Sequence, residues 1–224
     1  RLLRPWLVSR NPYRVTALRQ EHGRVWTVTL APASGAITPF MPGQFAWLTL
    51  RGSAFAMHDH PFSIASSACD AGQIELSIKE LGDFTATIKT LRVGELAWLD
   101  APYGAFSIDR QRGADAFLFV AGGIGIVPLL SMLRTMADRG DRRPIVLLYG
   151  NRVWERVAFR EELQALKQRL ALQVVHVLLE PPPDWDGERG FIDTAVLRRH
   201  LPAASPELHC YVCGPVAMTQ SIEA

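Results

Sequence analysis

The chain has 224 residues, 48% of them hydrophobic and 21% charged, which is enough apolar material for a buried core and excludes a disordered or low-complexity segment. Lys and Arg number 24 against 22 Asp and Glu, a balance that excludes a generic nucleic-acid binder relying on phosphate neutralisation. At this length one large domain or two small ones are expected.

The first residues are basic: Arg1, Arg4, Arg10, Arg14, Arg19 and Arg24 stand against Glu21 alone. Such a segment suits an anionic membrane surface or the flank of a membrane span, although a chain-wide preference for Arg over Lys explains it equally well. The chain starts at Arg-Leu-Leu-Arg-Pro-Trp without Met and holds three cysteines, Cys69, Cys210 and Cys213. We therefore expect a fragment of a longer protein in a reducing compartment, with no disulfide framework.

Tyr13–Glu21, Val25–Pro32, Gln44–Arg51, Pro61–Ser66, Ile74–Lys79 and Glu95–Leu99 read as six short strands separated by Gly, Pro, Asn and Asp turns, the grammar of a small antiparallel barrel. One helix, Asp83 to Leu91, follows Gly82. His60-Pro-Phe-Ser63 lies on a strand where alternate side chains share a face, so Phe62 and Ser63 point to opposite sides. A ring and a hydroxyl at a barrel edge suit a flat heterocycle; the plainer alternative is a core Phe and a strand Ser. His58 and His60 flank Asp59, but no third and fourth ligand accompany them, so no metal site is expected.

Arg110-Gln-Arg-Gly-Ala-Asp115 marks a shift in composition, which divides the chain into residues 1–112 and 113–224. Ala116 to Leu133 carries no charge and is long enough for a membrane helix, yet Gly122, Gly123, Gly125 and Pro128 interrupt its middle. The better reading is strand (Phe117 to Ala121), glycine turn, and helix opened by Pro128 and closed by Gly140. Pro144 to Gly150 is a second strand, and helix 158–170, strand 172–178 and strand Leu208 to Cys213 continue the rhythm of a doubly wound parallel sheet. Gly122-Gly-Ile-Gly-Ile-Val-Pro128 opens the helix where backbone amides could meet a pyrophosphate. Cys210 and Cys213 lie three apart on a strand, facing opposite ways, which argues against a zinc or redox pair. Pro181-Pro-Pro183, Asp184 and Trp185 read as a surface loop.

Taken in order, these motifs resemble the ferredoxin–NADP reductase superfamily. His60-Pro-Phe-Ser63 stands in the place of its Arg-x-Tyr-Ser flavin motif, and Gly82-Asp-Phe-Thr85 in that of its flavin-pyrophosphate helix start. Asp100-Ala-Pro-Tyr-Gly104 resembles its Gly-Pro-x-Gly turn, Gly122 to Pro128 its nicotinamide loop, and Cys213-Gly-Pro-x-x-Met218 its late Cys-Gly-Pro motif. His-Pro-Phe-Ser is similar to the NADPH oxidase and ferric reductase branch, whose dehydrogenase domain follows a haem-bearing membrane bundle. The resemblance implies a six-stranded FAD-binding barrel followed by an α/β nicotinamide-nucleotide domain whose last strand is missing here.

It implies FAD and NADPH, with NADH as a possible substitute, haem in a separate membrane domain of the same polypeptide, and a place on the cytoplasmic face of a membrane. Oxygen or ferric ion would be the final acceptor. Phe62 would stack on the isoalloxazine and Ser63 hydrogen-bond near N5, while His60, Pro61 and the segment Gly82, Asp83, Phe84 and Thr85 hold FAD, with Ile78 and Lys79 beside them. Gly122, Gly123, Ile124, Gly125, Pro128, Gly214, Pro215 and Met218 would take the dinucleotide, and Cys213 would lie by the nicotinamide, so that Ser63 and Cys213 carry the reaction. Arg152, at a strand end without a carboxylate, favours the 2′-phosphate of NADPH, and Arg156 or Arg160 could take its place. Val127 replaces the Thr usual in the family, and the chain stops at Ala224, soon after Met218. Two other readings stand beside this one: a soluble reductase feeding a ferredoxin or oxygenase, and a flavin-binding regulatory module without turnover.

Overall fold

The computed structural model describes residues 12–51, 59–111, 113–201 and 206–223. His58 and Arg1, Arg4 and Arg10 fall outside them. Six antiparallel strands, β1 (Pro12–Glu21), β2 (Val25–Pro32), β3 (Phe45–Leu50), β4 (His60–Ser63), β5 (Ile74–Lys79) and β6 (Leu96–Tyr103), form a sheet of order β4-β3-β6-β1-β2-β5. Its edges meet through a bridge between Ile64 and Leu76 and the bond from Ala65 N–H to the Glu75 carbonyl, at 2.7 Å, which curls it into a barrel. Val15, Val28, Leu48, Ile64, Leu76 and Ile78 fill the interior from alternate positions.

Two strands differ from the sequence reading. β4 ends at Ser63 rather than Ser66, because the chain leaves β3 there to cross to β5. β6 runs on through Asp100 to Tyr103, which the sequence motif placed in a turn; pairing of Phe45 with Tyr103 and of Trp47 with Asp100 holds it extended. The turn comes at Gly104, in the left-handed region at φ +99. The helix expected over 83–91 is a short α1 (Asp83–Thr87) continued by a 3-10 turn to Thr90.

The second sheet is parallel, in the order β10-β9-β8-β7-β11, from β7 (Ala116–Gly122), β8 (Ile145–Asn151), β9 (Leu172–Leu178), β10 (Glu188–Arg189) and β11 (Leu208–Cys213). α2 (Ile126–Asp138) and α3 (Arg160–Leu166) cover one face, where Phe117, Phe119, Leu147 and Tyr149 point. α4 (Thr194–His200) and α5 (Val216–Glu223) cover the other, over Leu118, Val120, Val146 and Leu148. The fold is therefore the expected antiparallel barrel followed by a doubly wound sheet. No helix among the described residues is long and apolar enough to cross a membrane, and the uncharged run from Ala116 is strand, glycine turn and helix.

α2 stops as the sequence implied. Gly140, at φ +66, donates to the Ala137 carbonyl and Asp141 N–H to that of Met136, a Schellman pair that satisfies the last carbonyls. α3 is shorter than the helix expected over 158–170, because Phe159 takes φ +59 at its start and turns follow Leu166. β10, α4 and α5 were not anticipated. α4 did carry a signal in the sequence: Asp193 caps it, accepting the Val196 N–H at 2.8 Å.

α2 also joins the two sheets. Ser131 Oγ donates to the Ser66 carbonyl at 2.8 Å, and Ala68 N–H donates to Thr135 Oγ1 at 2.9 Å. Between them Arg134 reaches the Ala65 carbonyl at 2.9 Å and Glu75 on β5 at 2.7 Å, while its other two nitrogens grip Glu162 on α3 at 2.6 and 2.8 Å. Removing one partner from such a buried network strands the others. Arg134→Met should therefore lower stability by about 3 kcal/mol, read as a shift in the urea midpoint, and a change below about 0.5 kcal/mol would discount the clamp.

On β9, His176 is packed against Tyr149 and Trp154, and neither ring nitrogen has a hydrogen-bond partner. Burial, with Lys167 nearby, pushes its pKa down to about 4. The unfolded chain takes up that proton near pH 6.5 and the folded chain only near 4, so stability is full above about 6.5 and declines toward 4. His176→Phe should remove this part of the acid sensitivity, which amounts to about 3 kcal/mol by pH 4, in urea titrations at pH 7.5, 5.5 and 4.

Candidate functional site

The ends of β4 and β5 face the start of α2 and the end of β11 across a cleft. Pro61, Phe62, Ser63, Ile78, Lys79 and Thr85 line its barrel side, and Gly122, Gly123, Ile124, Gly125, Val127, Pro128, Cys213, Gly214 and Pro215 line the other. This cavity measures about 570 Å³. It passes into a second of about 550 Å³ along the ends of the parallel strands, bounded by Asn151, Arg152, Arg156, Phe191, Asp193 and Met218. Lys79, Gly122, Gly123 and Pro215 belong to both, so the two form one trough.

On the barrel side the pairings Phe45 with Ser63 and Ala46 with Phe62 put successive β4 residues on opposite faces. Phe62 leans on the barrel core and Ser63 turns away from it, yet both border the cavity. His60 stacks on Phe84, with ring centroids 3.8 Å apart, and Phe84 lies nearly parallel to Phe62 at 6.1 Å. An aromatic step thus ties β4 to α1. His60, Gly82, Asp83 and Phe84 flank the cavity without lining it.

The start of α1 is also pinned from within. Thr85 Oγ1 accepts the N–H groups of Leu81 and Gly82 at 2.8 and 2.9 Å and donates to the Gly82 carbonyl at 2.9 Å. The Gly82 amide, expected to meet a phosphate, is therefore committed inside the chain. The first-turn amides that follow it have no helical partner and keep that capacity.

Across the cleft the glycines do more than admit a ligand. A Cβ on Gly125 would lie 2.2 Å from the Cys213 carbonyl oxygen, and one on Gly214 would lie 3.0 Å from the Gly122 Cα. A Cβ on Gly122 would lie 2.6 Å from the Pro215 ring and 2.8 Å from Met218 Sδ. These glycines let the loop after β7 and the loop after β11 touch backbone to backbone. Gly123 alone is left-handed, at φ +52, and the nearest atom to a Cβ there is Lys79 Nζ at 3.8 Å. It therefore faces the open trough, at the start of the turn that leads into α2.

Electrostatics differ along the trough. Burial and the neighbouring Arg156 push the half-buried Lys79 ammonium down from the usual lysine range. Burial pushes the Cys213 thiol up, so it stays protonated and is no nucleophile. The strand end that carries Arg152 has no carboxylate of its own, but the neighbouring strand brings one to it. Glu180, just beyond β9, accepts from Arg152 Nε at 3.0 Å and lies 2.9 Å from a terminal guanidinium nitrogen. The β8–β9 register continues past both strands, with Glu180 N–H donating to the Arg152 carbonyl, and brings the pair together. Phe191, 74% exposed, was also missed; it precedes the Asp193 cap of α4 and its ring stands at the second cavity. The loop after Pro181, which the sequence presents as a surface connection, packs its Trp185 on Trp154 at 5.3 Å.

The trough fits two extended ligands end to end: each cavity has the size of an ordinary ligand site, with a cation and open backbone at the junction. The comparisons agree with this layout. Residues 14–107 match the model of an FAD-binding domain, and residues 119–224 that of an oxidoreductase NAD-binding domain. The chain is 29% identical over 169 residues to NADH–cytochrome b5 reductase 1 of Arabidopsis thaliana, covering 73% of this chain and 60% of that protein. It is 29% identical over 217 residues to the reductase component of propane 2-monooxygenase of Rhodococcus jostii, covering 93% of this chain and 57% of that one. It thus spans less than two thirds of these relatives. The crystal structure of the cytochrome b5 reductase domain of Ulva prolifera nitrate reductase superposes with a TM-score of 0.80 at 19% identity, over 93% of this chain and 88% of that one. The chain thus matches an FAD-binding domain over its first half and an oxidoreductase NAD-binding domain over its second, in the order in which the barrel and the parallel sheet follow each other.

Proposed function

We propose that this chain is the dehydrogenase portion of an electron-transfer protein, taking electrons from NADPH or NADH through FAD to a one-electron acceptor. The continuity of the trough carries the reading, because it brings the barrel rim at Ser63 and the loop at Gly122–Gly123 to the two sides of one cavity. FAD held on the barrel side and a nicotinamide dinucleotide held across from it would together supply hydride transfer and its division into single electrons. The chain's own residues position the two and exclude water.

In this reading Phe62 offers a ring face and Ser63 a hydroxyl to the flavin, with Pro61 and Ile78 closing its apolar side. His60, braced on Phe84, and the free amides of α1 hold the FAD phosphates. Lys79 and the amides at Gly123 and Ile124 meet the pyrophosphate of the nicotinamide dinucleotide. The protonated Cys213 is a polarisable neighbour of the nicotinamide, with Gly214, Pro215 and Met218 behind it. Arg152 and Arg156 supply two cations for the 2′-phosphate and so favour NADPH over NADH.

The acceptor is haem in a membrane domain of the same polypeptide, as in NADPH oxidases and ferric reductases, with this domain at the cytoplasmic face and oxygen or ferric ion beyond. His60-Pro-Phe-Ser63 and the basic first residues support that placement. A soluble reductase serving a separate iron–sulfur or haem protein is the second reading, favoured by the match to the propane 2-monooxygenase reductase component over 93% of the chain.

Rapid mixing of FAD-loaded protein with NADPH, and separately NADH, should bleach the flavin absorbance within seconds. Absence of bleaching with both would remove the dehydrogenase reading. Ser63→Ala should slow bleaching about 100-fold, the scale of one lost hydrogen bond at the reacting centre, while FAD affinity changes little. An unchanged rate would take the role from Ser63.

A further inference from the structure

The Arg152–Glu180 pair bears on nucleotide choice in a way that neither residue does alone. The Arg152 side chain is 60% exposed and lines the second cavity, while that of Glu180, 53% exposed, pairs with it from outside the lining. Backbone bonds from Leu179 N–H to the Asn151 carbonyl and from Glu180 N–H to the Arg152 carbonyl hold the two at adjacent strand ends, so the pairing is fixed by the sheet. Asp193, the carboxylate that does line this cavity, is occupied in capping α4.

We infer that Glu180 is a specificity-determining residue: by holding the Arg152 guanidinium it withholds that cation from a 2′-phosphate and so lowers the preference for NADPH over NADH. The inference rests on the second cavity being the dinucleotide site. A 2′-phosphate entering there has to displace a carboxylate from Arg152 and remain close to it. An adenosine ribose with a free 2′-hydroxyl meets neither cost. Exposed ion pairs of this kind are weak enough for a ligand to open, which makes Glu180 a bias and not a block.

The test isolates the 2′-phosphate by using 2′,5′-ADP and 5′-AMP as probes, titrated by calorimetry into the FAD-loaded protein at low salt. Glu180→Gln should tighten 2′,5′-ADP about fivefold and move 5′-AMP by less than about twofold, the scale of one exposed charge interaction. With Arg152→Ala already in place, the same substitution should change 2′,5′-ADP affinity by clearly less than about fivefold, since most of the effect runs through that guanidinium and the carboxylate acts on Arg156 only through space. The ratio of kcat/KM for NADPH over NADH should rise by the same factor of about five. Equal effects on both probes, no effect on either, or a full effect in the Arg152→Ala background would each overturn the inference. If the unaltered protein binds neither probe and oxidises neither dinucleotide, the dinucleotide reading falls first and takes this inference with it. Dinucleotide turnover with a Glu180-independent probe ratio overturns the inference alone.

Discussion

The Arg134 guanidinium is the central link between the barrel and the parallel sheet. α2 is buried along nearly its whole length, and the exceptions, Arg134 and Asp138, lie on the side of Ser131 and Thr135 that faces the barrel. An arginine side chain only 15% exposed needs compensation, and here it comes from two carboxylates on different elements, Glu75 on β5 and Glu162 on α3. The carbonyl that Arg134 also binds belongs to Ala65, two residues after Ser63. The helix that starts at the glycine loop is therefore fastened to the barrel just beyond the strand that carries Phe62 and Ser63. The width of the cleft follows from that fastening.

Topology sets where the cleft opens. β8, β9 and β10 extend from β7 on one side and β11 lies on the other, so the connections leaving β7 and β11 diverge to opposite faces of the sheet. Parallel α/β sheets bind ligands at such a switch point, beyond the carboxyl ends of the strands. The divergence leaves room there only because Gly122, Gly125 and Gly214 let the two loops touch without side chains between them. Their absence of a Cβ is a packing requirement first, and an open floor for the trough is its consequence.

Those elements whose signal is local were legible in the sequence. β2, β5, β9 and β11 keep the residues that alternation and apolar runs assigned, and Gly140 and Pro128 bracket α2. The extension of β6, the early end of β4 and the Arg152–Glu180 pair were not legible, because each depends on register between segments distant in sequence. The His60–Phe84 stack is of the same kind, joining two motifs read separately. Motif order reached the site's residues without their internal bonds: Thr85 stood in the flavin motif, but that its hydroxyl consumes the Gly82 amide is visible only in three dimensions.

The distribution of charge then separates scaffold from site. Away from the cleft several arginines are matched: Arg139 with Asp109, Arg143 with Asp141, Arg169 with Asp138 and Arg199 with Glu188. Along the trough the matching thins. Lys79 and Arg156 repel each other, and no described carboxylate pairs with the half-buried ammonium. Like charges held together beside burial are unfavourable in the protein alone, and an anion lying between them reverses the sign. The excess runs from the β5 end to the β8 end, the length of the second cavity, and among the described residues Glu180 is the carboxylate that pairs with one of these cations, Arg152. A ligand with phosphates near Gly123 and a further anionic group toward Arg152 would satisfy each cation in turn, and on the proposed reading Glu180 is the carboxylate that such a group would have to displace.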